Sequence, residues 1–154
     1  MLRIRPISCV ALLTVAAACT VTPIVSPADS SREPSPLRVE LSPNPVLAIP
    51  PMRDTARVAG VTGGIAVVGV LNQTAPCFAL SASATRTNAR VLLVVTAKEA
   101  PGTCATFAAG AFEYDVGVQW LASGTYDVDV VHRIMRNDGT VAEATVGGKR
   151  VQVK

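Results

Sequence analysis

The chain holds a single histidine, His132, and proton-transfer chemistry near neutral pH would have to start there. It closes an alternating stretch that begins at Tyr126, and no Gly-x-Ser-x-Gly nucleophile elbow occurs anywhere in the sequence. One imidazole without a committed serine and aspartate makes no catalytic triad, so a packed or edge histidine is expected. Glu113, Asp115, Asp127 and Asp129 alternate with apolar residues in two neighbouring segments. Their carboxylates could serve calcium or a basic partner, but flat strand faces lack the converging loop that calcium needs. A solvated face is the expectation. Gly60-Val61-Thr62-Gly63-Gly64 has no Lys-Ser/Thr and no helical pattern after it, so it reads as a turn rather than a phosphate cradle. Trp120 would stack on a sugar if exposed, yet its alternation with Tyr114, Val116 and Val118 places it in the core. These residues imply no enzyme, no cofactor and no metal site.

Cysteine is the other chemically capable type, with four in the chain. Cys77 opens an apolar alternating run, and Cys104 follows Glu99-Ala100-Pro101-Gly102-Thr103, a loop beyond the strand that should return beside it. A Cys77–Cys104 disulfide is the expected pairing. Closing a loop of about 28 residues is worth roughly 3.5 kcal/mol on the chain-entropy model. A redox or metal role would need further ligands close by.

The elements that must position these groups follow a period of two. Phe112, Tyr114, Val116, Val118 and Trp120 interleave with Glu113, Asp115, Gly117 and Gln119. Tyr126, Val128 and Val130 interleave with Thr125, Asp127 and Asp129. Ala122-Ser123-Gly124 between them predicts a three-residue hairpin loop with Gly124 left-handed, setting Trp120 opposite Tyr126 and His132 facing Tyr114. Residues 65–71, 78–85 and 90–97 read as further strands. Val91-Leu92-Leu93-Val94-Val95 is apolar on both faces, as in a central strand. Thr87-Asn88 and Asn137-Asp138-Gly139 supply turns, Gly147-Gly148 a break, and Val151 and Val153 a last strand. The sum is a single antiparallel β-sandwich of about seven strands over residues 52–154.

The run Leu121-Ala122-Ser123-Gly124-Thr125-Tyr126-Asp127-Val128-Asp129-Val130 resembles the Leu-x-x-Gly-x-Tyr-x-Val-x-Val segment of immunoglobulin-like and fibronectin-like sandwiches. That resemblance implies a structural tyrosine corner at Tyr126, whose hydroxyl bonds back to the backbone. Val128 stands where an antibody-type domain has its second cysteine, so the antibody core disulfide is not implied.

Residues 1–18 read as a secretory signal peptide. Arg3 and Arg5 precede an uncharged, mainly apolar run of about twelve residues ending in Ala16-Ala17-Ala18. At about 18 Å in a helix, that run is too short for a hydrocarbon core of about 30 Å. Val15-Ala16-Ala17-Ala18-Cys19 resembles a bacterial lipoprotein box, with Ala16 where leucine is usual. The resemblance implies lipidation of Cys19, and it leaves Cys77 and Cys104 as an even pair. Thr20 after the cysteine implies the outer membrane rather than inner-membrane retention. Eight of the eleven prolines lie between residues 20 and 51, which predicts an extended tether over 19–51. Leu37, Val39 and Leu41 alternate with Arg38 and Glu40, so a first edge strand could begin inside it.

Hydrophobic residues make up 49% of the chain and aromatics only 4%, a composition poor in the rings that line ligand pockets. Arg3 and Arg5 account for two of the three net positive charges, leaving +1. Scattered charges of both signs exclude a nucleic-acid surface, which needs a basic face. The whole resembles small bacterial envelope lipoproteins. The expected function is a non-catalytic binding or structural module, anchored in the membrane by its N-terminal lipid and acting on an envelope protein or polymer. The alternative is a secreted hydrolase inhibitor that inserts the disulfide-pinned loop of residues 99–110.

Overall fold

The computed structural model describes residues 37–47, 52–72, 75, 77–102 and 110–154. All lie in the compact unit Pro34–Lys154. The expected signal peptide, Cys19 and residues 20–36 and 48–51 of the expected tether fall outside the described residues. Eight strands follow one another: β1 (Arg38–Leu47), β2 (Thr55–Val61), β3 (Gly64–Asn72), β4 (Phe78–Thr87), β5 (Arg90–Glu99), β6 (Gly110–Gln119), β7 (Gly124–Met135) and β8 (Val141–Val153). They form two four-stranded sheets, ordered β1-β6-β3-β2 and β4-β5-β7-β8. The all-β sandwich expected from the period-two pattern is the fold, with eight strands among the described residues where about seven were expected.

Alternation explains why these segments form two layers. On β6, Phe112, Tyr114, Val116 and Val118 are buried while Glu113 and Asp115 are exposed. On β7, Tyr126, Val128 and Val130 are buried in the same manner. They meet Ile65, Val67 and Leu71 of β3 and Val91, Leu93 and Val95 of β5 in one core. Burying each such valine, leucine or isoleucine contributes about 1.5–3 kcal/mol. β5 occupies the interior of its sheet, as its apolar run predicts.

The expected β6–β7 hairpin does not form. β6 pairs with β1 and β3, whereas β7 pairs with β5 and β8 in the opposite sheet. Two amphipathic strands bury their apolar faces equally well side by side or face to face, and here they take the second arrangement. Trp120 shows where the chain changes layers: its φ is 68°, the strand ends at Gln119, and the next inward position passes to Leu121. Trp120 is accordingly 60% exposed, against the expectation of a core residue. Trp120 takes left-handed backbone in this connection, and Gly124, the residue expected to do so, also keeps a positive φ of 157°.

Because β6 intervenes in the other sheet, β7 returns beside β5 running parallel to it, the one parallel junction among otherwise antiparallel pairs. β1 pairs along its full length with β6, so residues 38–47, expected within the tether, belong to the sandwich. Pro43 and Pro45 are tolerated there because β1 is an edge strand, where a missing N–H need not break a ladder. At the opposite corner the sheets are stitched together. The Gly63 N–H donates to the Lys154 carbonyl (3.0 Å) and the Lys154 N–H to that of Val61 (3.4 Å). A Cβ on Gly60 would stand 2.0 Å from the Gln152 carbonyl oxygen, so only glycine permits this approach. Gly147-Gly148 does not end β8 but accompanies a bulge in its pairing with β7.

Candidate functional site

Two features stand out from this frame. One is internal. Tyr114 of β6 and His132 of β7 reach toward each other across the sandwich, with the Tyr114 hydroxyl 2.8 Å from His132 Nε2 and the rings edge to face at 5.6 Å. The sequence-level expectation that His132 faces Tyr114 holds, but between layers rather than across a hairpin. His132 is 2% exposed, and its Nδ1 lies 3.8 Å from Asp54 Oδ2. That is an electrostatic contact, too long for a hydrogen bond, and Nδ1 has no other partner among the described residues. The tautomer that suits both sides has Nε2 accepting from the tyrosine and Nδ1 carrying its proton toward the carboxylate. Asp54 is itself held just ahead of β2 by the Asn72 N–H, which donates to Oδ1 at 2.6 Å.

Burial lowers the His132 pKa below its ordinary value, with Asp54 partly opposing the effect. Burial, then the Asp54 charge, raises the Tyr114 hydroxyl well above its usual range. Both groups are thus neutral at pH 7 and walled off from solvent. The arrangement is a polar staple between the sheets. Gly69 leaves room for it, since a Cβ there would meet the Tyr114 hydroxyl at 2.3 Å. Asp54 carries no pattern in the sequence that would have singled it out.

The second feature is the outer face of the β1-β6-β3-β2 sheet. A groove of about 390 Å³ is lined by Asn44 of β1, Glu113 and Asp115 of β6, Val68 and Val70 of β3, and Arg57 of β2. Val68 is 55% exposed. The Asn44 side-chain amide donates to Glu113 at 3.4 Å. Toward the other end of β6 the face narrows to small side chains, with Gly117 paired to Ala66 and Ala66 to Ala59. It then ends in a polar cluster, where Arg38 bonds Glu40 at 2.8 Å and Glu40 accepts from Gln119 at 3.0 Å. Exposed Trp120 directly follows that cluster in the chain. With Val61 it places two large apolar residues on this end of the molecule.

The four acidic residues do not form one group. Glu113 and Asp115 lie on this outer face, while Asp127 and Asp129 lie on the outer face of the other sheet. There Arg150 holds Asp127 by two hydrogen bonds of 2.7 and 3.0 Å, which lower the carboxyl pKa. Arg90 lies 4.0 Å from Asp129, and Arg133 pairs with Glu143. Among the described residues no group of three metal-ligating side chains exists. The Tyr126 hydroxyl donates to the Ala122 carbonyl at 3.0 Å, four residues back. Cys104, the expected disulfide partner of Cys77, lies outside the described residues. The loop that Cys104 belongs to has a fixed base, since Asn137 donates from its N–H to Glu99 Oε2 (2.8 Å) and from its side chain to the Ala100 carbonyl (3.0 Å). Comparison of the chain with protein-family models, with curated proteins and with solved structures finds no match.

Proposed function

We propose that this protein is a non-catalytic binding module of a bacterial cell envelope. In this reading it is exported, lipidated at Cys19, and held at the outer membrane or its periplasmic face by the proline-rich stretch that leads into β1. A Cys77–Cys104 bridge fastens the loop after β5. The observation that carries the binding reading is Trp120. A tryptophan in left-handed backbone with most of its surface in water is held at a conformational and hydrophobic disadvantage, the usual signature of a residue kept for contact. The groove, Val68 and the Arg38–Glu40–Gln119 cluster extend the same sheet face into a surface for an envelope protein or polymer.

Trp120 is the only tryptophan, so its fluorescence reports this surface directly. Titrating the full chain with solubilised envelope polymer, and separately with proteins recovered by crosslinking in intact cells, should shift that emission for the true partner. Trp120→Ala should weaken capture of the same partner by roughly tenfold, the scale of a buried aromatic contact. Unchanged capture by a folded Trp120→Ala protein sinks this reading. Intact mass of the membrane-extracted protein tests the anchor, and an unmodified Cys19 would remove it.

The fixed base of the loop after β5 favours a second reading, a hydrolase inhibitor acting through residues 99–110. A Pro101→Lys variant separates the two. It should abolish inhibition if the loop is the wedge and leave capture intact if the Trp120 face is used.

A further inference from the structure

The four edges of the two sheets are treated differently. β1 carries Pro43 and Pro45, which deny a neighbour two donors. The end of β2 is bonded to the end of β8. β8 bears a glycine bulge, followed by Lys149 in a core-facing register position at the rim, where it stays exposed. Bulges and inward charges are both devices that discourage strand addition. β4 has no proline, bulge or seam, and its one core-facing charge, Arg86, which pairs with Val91, comes only at its last residue but one. It is ten residues long, pairs with β5 without a register break, and contains no proline or glycine and no charge before Arg86. Its core-facing Phe78, Leu80, Ala82 and Ala84 remain only partly buried although they pack against the core. Among the described residues nothing pairs with its outer edge.

We infer that the β4 edge is an interface with a second copy of this chain, paired antiparallel about a two-fold axis at Ala82. The pattern of β4 is complementary to itself in that register. Leu80 meets the second copy's Ala84 on the inner face, and Ser81 meets its Ser83 on the outer face. Between Leu80 and Ala84 apolar side chains therefore continue the inner face, with Arg86 meeting Phe78 at each end, and hydroxyls line up as cross-strand partners. No like charges are brought together, because Arg86 falls opposite Phe78. A partner with charged outward residues would lose that match. The result is one continuous sheet of eight strands, β8-β7-β5-β4 followed by the same order reversed. Antiparallel self-pairing of this kind is the closed two-fold solution open to an unprotected edge. It leaves both Trp120 faces free, and so stands whether or not the binding reading holds.

The test uses the full chain. Sedimentation should give a dimer, and Ser81→Lys/Ser83→Lys should weaken it by about tenfold or more, because lysine is then set directly against lysine. Both serines are exposed, and circular dichroism verifies that the variant stays folded. Ser83→Cys treated with a short bismaleimide in intact cells should yield a covalent species of twice the chain mass, whereas Thr145→Cys on the far edge should not. A monomer at every concentration tested, or a dimer indifferent to the paired lysines, overturns the inference. So does crosslinking of Ser83→Cys to a different protein or to this chain's own residues 20–36.

Discussion

At the scale of single residues, the buried histidine sets the response to acid. The folded protein holds the His132 pKa below the 6.5 of an unperturbed histidine, so between those two values the unfolded chain binds a proton that the native state refuses. Stability is therefore complete above pH 6.5 and declines as pH falls through the folded value, at no more than about 1.4 kcal/mol per pH unit. The exposed carboxylates of Asp127 and Asp138, whose pKa values are lowered by Arg150 and by the Thr140 backbone N–H respectively, act in a separate and more acidic window. Since the chain has one histidine, urea titrations between pH 7 and pH 5 should lose this slope in His132→Gln. A slope that survives the substitution would place the titrating group elsewhere. Alternation of both strands marked Tyr114 and His132 as core-facing, but their contact was expected from a hairpin register that does not form and arises instead between the sheets. Asp54 was not marked: it precedes β2 in a stretch with no periodicity, and only the folding of Asn72 beside it brings it under the imidazole.

At the scale of elements, alternation disclosed which faces are apolar and left open how the strands are shared between sheets. β6 and β7 are joined by a short connection with a glycine, which ordinarily signals a hairpin. The crossing depends instead on Trp120 leaving the β region, and no propensity marks a tryptophan for left-handed backbone. β1 was legible as alternating Leu37, Val39 and Leu41, while its prolines argued for a tether. Both readings describe an edge strand, whose outward donors are dispensable. The β2–β8 seam yields a further expectation. Gly60→Ala forces a methyl into the Gln152 backbone, and such overpacking should cost about 1–3 kcal/mol. Chemical denaturation would measure it, and a neutral effect would mean that the seam yields easily. Gly63→Ala, by contrast, meets open space but a φ of 70°, so its cost is conformational, about 1 kcal/mol.

At the scale of the whole molecule, the strand order ties the two layers into one unit. β4–β5 and β7–β8 are local pairings, but β5 and β7 become neighbours only after the chain has visited the other layer as β6. β6 in turn supplies the only described partner of β1 and separates it from β3. The β5–β7 junction of one sheet thus encloses, in sequence, a strand that belongs to the other. Such dependence on distant pairings slows folding relative to a chain of consecutive hairpins. It also disfavours partial loss, because peeling away one layer would expose the apolar core that both share. Toward any protease, a single all-or-none opening offers fewer cleavable states than stepwise unravelling would.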